Sequence, residues 1–255
     1  ADVTMHLVRV PDPRAFGCVP TDATGRVTAF LEKTQDPPTD QINAGCYVFK
    51  RSVIENIPAG RVVSVERETF PGLLSAGAKV VGHVDSSYWR DMGRPDDFVQ
   101  GSSDVVRGIA YSPLLQGRTG ESLVDASAGV AGGVILMGGT TVGRGCEIGA
   151  GARVDDSVIF DGVTIEPGAM VRNSIIAAGA TIGANARITD SVIGEGARIG
   201  ARCELQAGMH AEETIQLPPR DTTASDKPAE KHQQTVDDAA DVRREAQAEE
   251  ARHRD

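Results

Sequence analysis

Apolar residues recur at steps of six, six and five from residue 124 to residue 205, and this repeat constrains the fold more than any other feature. The steps match neither the period of roughly 3.6 residues of an amphipathic helix nor the two-residue alternation of a strand. One inward-facing residue at each step gives a coil with three flat sides. Each coil takes 17 residues, after a first coil of 18. The repeated positions are Val124, Val130, Leu136, Val142, Ile148, Val154, Ile159, Ile165, Val171, Ile176, Ile182, Ile188, Ile193, Ile199 and Leu205.

Stacked coils place equivalent positions in vertical files, and Val and Ile suit such strand-like walls at a spacing of about 4.8 Å. Composition agrees, because the chain has 29 glycines and only 4% aromatic residues. Glycines follow the inward residue directly, as Gly149 does, or come two residues later, as Gly151 does. Such corners need a positive φ or a close approach of two backbones, and glycine allows both. We therefore predict a parallel β-helix over residues 124–208.

A polar triplet closes each coil, at residues 155–157, 172–174 and 189–191, and predicts a short polar third side. Asp156, Asn173 and Asp190 are expected to stack, with Asn173 separating the two carboxylates. Asp and Asn also tolerate turn angles and bond their own backbone. We interpret the triplets as a structural ladder, with a metal or substrate site as the alternative.

The repeat resembles that of the hexapeptide-repeat proteins, whose fold is the left-handed parallel β-helix. These proteins are acyltransferases or sugar nucleotidyltransferases with a carboxy-terminal β-helix, so the repeat alone does not choose a function. Acyltransferases of this fold usually carry a catalytic His on a coil or loop. The repeat here contains no His, and His210 lies beyond the last predicted coil. Acyl transfer is therefore the less favoured alternative.

Residues 1–108 alternate short apolar segments with helical ones and predict part of an α/β, Rossmann-like domain. Strands are expected at residues 3–10, 27–31, 46–49 and 80–84, and helices at 51–57 and 65–74. A further helix starts at Pro95, in the first turn, where the missing N–H of proline costs least. Residues 109–123, rich in Ser, Gly and Gln, are expected to be a linker.

Five short motifs in residues 1–108 resemble the carboxy-terminal half of a sugar-phosphate nucleotidyltransferase domain, and they occur in the family's order. They are FGCV (16–19), FLEK (30–33), INAGCYVF (42–49), SVERETFP (64–71) and YWRDMGRP (88–95). The fourth motif is most similar to the corresponding segment of mannose-1-phosphate guanylyltransferases. After the second motif, Thr34 stands where the family has Pro. The resemblance implies synthesis of an NDP-sugar, with GDP-mannose from mannose 1-phosphate and GTP as the first choice. A glucose-1-phosphate-type enzyme and a non-catalytic regulatory or scaffold homologue are the alternatives.

The resemblance also implies a binding site for the sugar. Glu32 is expected to accept hydrogen bonds from sugar hydroxyls, and Gly17 to bring the backbone close to the sugar. Asn43 is expected to bond the sugar, with Gly45 leaving room beside it. The alternatives are a surface carboxylate for Glu32, a turn glycine for Gly17 and a structural turn for Asn43.

The same resemblance assigns catalytic roles to Lys33 and Asp91. The sugar phosphate attacks the α-phosphorus of the triphosphate in line and releases pyrophosphate, while cations and Mg²⁺ hold the crowded negative charge. Lys33 is expected to contact the sugar phosphate as a compact point charge, with a solvated surface lysine as the alternative. Asp91 is expected to bind Mg²⁺, which prefers carboxylate oxygen; capping of the helix at Pro95 is its alternative role. Trp89 is expected to pack rather than react.

The family also holds the triphosphate on an amino-terminal Gly-rich loop, which is not among these 255 residues. The chain starts at Ala1 and enters a strand at once. We therefore expect that an amino-terminal portion is missing and that these residues alone do not turn over substrate.

The charge, composition and cysteines of the chain predict its partners and its location. The net charge of -10, without a basic stripe, argues against nucleic acid as a partner, and no apolar run of about 18 residues predicts a membrane span. Four scattered cysteines predict unpaired, buried thiols and a cytoplasmic protein. The β-helix is expected to mediate homo-oligomerisation through its flat walls and open ends. Residues 209–255 are expected to be a charged tail, disordered or helical.

Overall fold

A computed structural model of the chain describes residues 1–115 and 119–206, together with the backbone of the short strands His210–Ala211 and Gln216–Leu217. The predictions for the remainder of the tail fall outside these residues. In the described part of the chain, no helix is long and apolar enough to cross a membrane.

A five-stranded mixed sheet forms the core of residues 1–108. Its strands are β1 (Val3–Arg9), β2 (Gly17–Cys18), β3 (Leu31–Glu32), β4 (Gln41–Phe49) and β5 (Val80–Asp85), in the order β3-β2-β4-β1-β5. Strand β1 lies inside the sheet, where it pairs antiparallel with β4 and parallel with β5. Its inward residues Val3, Met5 and Leu7 are fully buried with Phe70 and Val80, so the α/β prediction is confirmed.

The helices between residues 51 and 115 are α1 (Arg51–Glu55), α2 (Phe70–Ser75) and α3 (Pro95–Val106), with a π-helical turn at Val65–Thr69 and a 3-10 turn at Pro113–Leu115. The helix predicted over 65–74 is therefore two elements. Pro71 explains this, because it has no N–H for a helix that continues from Val65. The helix predicted over 51–57 ends at Glu55, ahead of Pro58, since the residue before a proline disfavours helical angles.

Two predicted strands also differ from the structure. Residues 27–31 do not form the expected strand. Val27 makes an isolated bridge to Thr21, and the strand in this region is Leu31–Glu32. The strand expected at 46–49 begins five residues earlier, at Gln41. Both differences come from pairing between strands, of Leu31–Glu32 with β2 and of β4 with β1 and β2.

Three parallel sheets build the β-helix, one for each wall. The first wall comprises Gly129–Val130, Glu147–Ile148, Thr164–Ile165, Thr181–Ile182, Arg198–Ile199 and Gln216–Leu217. The second comprises Ile135–Met137, Arg153–Asp155, Met170–Arg172, Arg187–Thr189 and Glu204–Leu205. The third comprises Ser122–Val124, Thr140–Val142, Val158–Ile159, Ile175–Ile176, Val192–Ile193 and His210–Ala211.

The strand register confirms the predicted repeat. Val130 pairs with Ile148, a step of 18, and Ile148 pairs with Ile165, a step of 17. From Val142 onward the files are buried, and files of small residues such as Cys146 and Ala180 fill the interior between them. The predicted left hand of the coil stays a prediction.

The ends of the β-helix differ from the predicted limits. Its first strand, Ser122–Val124, begins inside the predicted linker and pairs with Thr140–Val142. Pairing also continues beyond residue 208, because Val192 pairs with His210 and Ile199 with Leu217. His210 therefore lies on a further coil instead of beyond the last one.

Glycine meets two separate needs at the corners. Positions such as Gly151, Gly168 and Gly179 have positive φ, at 68°, 70° and 68°. Gly149 has no positive φ, but a Cβ there would lie 2.5 Å from the Pro167 nitrogen in the next coil. Both reasons offered by the sequence apply, each at its own position in the repeat.

The polar triplets form a tight corner between the second and third walls, and not a third side. Asp156, Asn173 and Asp190 have positive φ, and the Asn173 amide donates to Asp190 over 2.6 Å. Buried serines continue the ladder, because the Ser191 N–H donates to Ser174 Oγ over 3.1 Å. Asn, Asp and Gly adopt a positive φ most readily. The turn at each corner therefore explains why the triplets are polar.

Candidate active site

Gly17 and Glu32 face each other across the β2–β3 pair. A Cβ at Gly17 would lie 2.9 Å from the Phe30 ring and 3.1 Å from Glu32 Oε2. Only glycine leaves this space open, so the Glu32 carboxylate lies directly beside the backbone of β2. The structure thus brings the predicted sugar contacts Gly17 and Glu32 together.

Lys33 follows β3 in a left-handed conformation, with φ of 49°. This conformation is uncommon for a residue with a long side chain, and such outliers concentrate at functional sites. The Lys33 N–H donates to Phe16 O over 3.1 Å, which holds this turn against the residue before Gly17. The side chain is exposed, and no ion partner occupies its ammonium among the described residues. Lys33 is therefore available to an anion.

Asn43 and Gly45 lie where β4 bulges. The pairing shifts between Met5 and Leu7 of β1, so that residues 44–46 of β4 are left unpaired there. Gly45 takes a φ of 80°, and its N–H donates to Asn43 Oδ1 over 3.0 Å. Bulges re-aim side chains and recur beside active sites. The turn role given as the alternative for Asn43 is thus present in the structure.

The Asn43 side chain is also the centre of a polar network that the sequence reading did not single out. Its amide donates to Tyr47 Oη over 2.6 Å and to Glu66 Oε1 over 2.8 Å. Burial raises the pKa of Tyr47, so its phenol stays protonated. Asn43 is only 9% exposed and uses both amide hydrogens inside the protein. It orients Glu66, which belongs to the fourth sequence motif.

Trp89 joins the motif segments. Its Nε1–H donates to Ala44 O over 3.2 Å, in the bulge beside Asn43, and its ring meets Phe16 edge-on at 5.8 Å. The expectation that Trp89 packs agrees with these contacts. They bring the YWRDMGRP segment to both the FGCV turn and the INAG strand, which are distant in sequence.

Asp91 lies two residues after Trp89 and is exposed. It does not cap α3, because the N-cap residue is Arg94 and no side chain caps the helix. Gly93 leaves room for its carboxylate, since a Cβ at Gly93 would lie 3.3 Å from Asp91 Oδ2. No donor occupies this carboxylate among the described residues.

Asp91 fits Mg²⁺ as one ligand of several. In the part of the chain that the structure describes, no three His, Cys, Asp or Glu side chains are grouped to hold a metal. Mg²⁺ commonly binds through one or two carboxylates, with phosphate and water oxygens completing its shell. A free carboxylate such as Asp91 suits a site shared with phosphate oxygens and would not hold the ion alone.

Two family models match the chain, and they divide at the boundary between its structural units. The nucleotidyl transferase model matches residues 1–108, and the GMPPB C-terminal domain model matches residues 118–222. The chain therefore combines a nucleotidyl transferase domain with a GMPPB C-terminal domain.

Within this class, the chain is a homologue of mannose-1-phosphate guanylyltransferases. It is 68% identical over 167 residues to mannose-1-phosphate guanylyltransferase of Mycobacterium tuberculosis (strain ATCC 25618 / H37Rv), covering 65% of this chain and 46% of that protein. It is 32% identical over 171 residues to probable mannose-1-phosphate guanylyltransferase 3 of Oryza sativa subsp. japonica, covering 65% and 47%. The chain spans about half the length of these curated relatives.

Proposed function

We propose that residues 1–108 supply the sugar-phosphate side of a guanylyltransferase that forms GDP-mannose and pyrophosphate from mannose 1-phosphate and GTP. The Trp89–Ala44 hydrogen bond is the observation that carries this proposal, because it draws the Asp91 segment onto the Asn43 bulge. The similarity to mannose-1-phosphate guanylyltransferases supports the choice of sugar and base. The acyltransferase alternative has no comparable support.

Each side chain has a distinct task in this proposal. Lys33 neutralises the sugar phosphate, and Glu32 orients the sugar through its hydroxyls beside the open face of Gly17. Asn43 acts by holding the bulge and Glu66, with Gly45 keeping the turn. Asp91 would hold Mg²⁺ in part, and the bound ion would supply the positive charge that the crowded phosphates need. In this proposal, catalysis comes from positioning and electrostatics, without a covalent intermediate.

We predict that Lys33→Ala weakens the binding of mannose 1-phosphate to this chain about tenfold, which is the loss of about 1.4 kcal/mol expected when a charged hydrogen bond is removed. Titration calorimetry with mannose 1-phosphate and Mg²⁺ measures it. Lys79→Ala is the matched control, because Lys79 is exposed at the start of β5, on the opposite edge of the sheet.

Equal losses in the two lysine variants would contradict a specific role for Lys33. A wild-type chain that binds no sugar phosphate would favour the regulatory or scaffold alternative instead. Tighter binding of glucose 1-phosphate than of mannose 1-phosphate would overturn the choice of sugar. The expectation that these 255 residues alone do not turn over substrate stays a prediction, tested by pyrophosphate release from GTP and mannose 1-phosphate.

We also propose that the β-helix mediates self-association through its first coil. This coil supplies the edge strand of all three walls, and Val124, Val130 and Ile135 remain 36%, 43% and 46% exposed on it. Strand edges and exposed apolar side chains together favour association. Sedimentation velocity is expected to show a dimer or larger oligomer for the chain, and dissociation in Ile135→Glu. A wild-type monomer across micromolar concentrations would refute the proposal.

A further inference from the structure

Asp104 is a buried carboxylate on α3 that takes no direct part in the proposed reaction. It is 4% exposed. Its Oδ2 accepts hydrogen bonds from Tyr88 Oη at 2.7 Å and Arg90 Nη2 at 3.3 Å, and its Oδ1 accepts from Gln100 Nε2 at 2.8 Å. Burial acts to raise the pKa of Asp104, but these hydrogen bonds and the charge of Arg90 hold it below its usual value. The carboxylate is therefore charged and fully engaged.

Two of its partners alternate with site residues along one extended segment. Tyr88 and Arg90 contact Asp104 on α3, whereas Trp89 contacts Phe16 and Ala44. Met92 also contacts α3, as Tyr88 and Arg90 do, because a Cβ at Gly101 of α3 would lie 2.3 Å from Met92 Cε. Both neighbours of Asp91 are thus held on α3, and Asp104 is the charged group at the centre of that contact.

The helix is in turn fixed to the β-helix at the residue next to Asp104. The Ser103 hydroxyl donates to Gly138 O over 2.7 Å in a buried contact. A Cβ at Gly139 would lie 2.6 Å from Ser103 Cα, and Gly139 has a φ of 81°. One turn later, Arg107 pairs with Glu121 at 2.9 Å. Continuous contacts therefore run from the β-helix through α3 to the segment that carries Asp91.

We propose that Asp104 is a positioning residue that holds residues 88–92 on α3 and so fixes Asp91 beside the Asn43 bulge, with the β-helix as the fixed base. The catalytic consequence of this inference rests on the proposed binding of Mg²⁺ by Asp91. The positional part does not, because it concerns only where the segment lies. A buried, hydrogen-bonded carboxylate is costly to leave with fewer partners, which makes the network cooperative.

Trp89 provides a direct readout, because it is the only tryptophan in the chain. Asp104→Ala is expected to shift its emission to longer wavelength and to raise its acrylamide quenching constant about twofold or more. Asp104→Asn keeps an oxygen acceptor for Tyr88 and is expected to restore much of the wild-type quenching. Asp96→Asn is the matched control, since Asp96 lies on α3, is exposed and, in the part of the chain that the structure describes, pairs only with Arg94. It is expected to leave the emission unchanged.

Two further measurements separate positioning from general instability. Tyr88→Phe removes one hydrogen bond without removing the buried charge, and it is expected to raise quenching less than Asp104→Ala. If Asp104→Ala does not fold, Tyr88→Phe carries the test. In folded variants, the Mg²⁺ concentration for half-maximal enhancement of mannose 1-phosphate binding is expected to rise severalfold. Unchanged Trp89 quenching in Asp104→Ala and Tyr88→Phe would overturn the inference. A wild-type chain without any Mg²⁺ effect would instead refute the role of Asp91.

Discussion

Replacement of Ile176 by Ala is expected to lower the free energy of unfolding by about 2–5 kcal/mol. Ile176 is fully buried in a middle coil and pairs with Ile159 below it and Ile193 above it. The cavity cannot collapse easily, because backbone hydrogen bonds fix the spacing of the coils. Phe160 N–H donates to Ile176 O, and Ala177 N–H donates to Ile193 O, both over 2.9 Å.

Ile175→Ala is the matched control for this prediction. It removes the same atoms from the adjacent residue, which points to the outer side of the same strand and is only partly buried. Urea or guanidinium unfolding, followed by circular dichroism, measures both variants. We expect Ile175→Ala to cost less than half as much as Ile176→Ala. Equal costs would mean that the inward file does not carry the stability of the coil.

The β-helix could be predicted in detail because its period is a local property of the sequence. Every inward residue has its neighbours 17 or 18 positions away, so the repeat alone sets the register of Ile148 with Ile165. The prediction of a polar third side was wrong, because the same polar residues suit either a flat side or a tight corner. The triplet around Asp156 is polar because it turns the chain with a positive φ, and a polar flat side would read the same in the sequence.

The mixed sheet was less predictable, for the opposite reason. Strands β2 and β3 have two residues each, too few to show any alternation, and they exist through their pairing with each other and with β4. The start of β4 at Gln41 likewise depends on Arg9 of β1, its partner across the sheet. No window of the local sequence contains both partners.

The candidate site was likewise predictable in its local motifs and not in its tertiary contacts. Short motifs located Gly17, Lys33 and Asp91, and the structure places their segments around Trp89. The partners that hold them were not evident, because Asn43 meets Glu66 from 23 positions away and Asp104 meets Tyr88 through tertiary packing. The only sign of Asp104 in the sequence was an Asp inside a predicted helix. Its burial and its contacts with Tyr88 and Arg90 are tertiary features, which the local sequence does not reveal.

Asp91→Asn is expected to abolish the Mg²⁺-dependent part of mannose 1-phosphate binding. The substitution keeps the shape of the side chain and removes its charge, and Mg²⁺ strongly prefers carboxylate to amide oxygen. In the wild-type chain, Mg²⁺ is expected to tighten binding about tenfold relative to EDTA, or about 1.4 kcal/mol. In the variant, the two dissociation constants are expected to coincide, because the ion loses its only ligand from this segment.

Calorimetric titrations with and without Mg²⁺ measure this difference, and Asp96→Asn is the control for removing one negative charge nearby. The control is expected to keep the full Mg²⁺ effect, since Asp96 is paired with Arg94 at 2.8 Å. Lys33→Ala is expected to weaken binding both with and without Mg²⁺, because its contact with the phosphate needs no metal. An Asp91→Asn chain that still responds fully to Mg²⁺ would show that the ion binds elsewhere. The two variants thus separate the contribution of the lysine from that of the metal, which share one phosphate group in the proposed site.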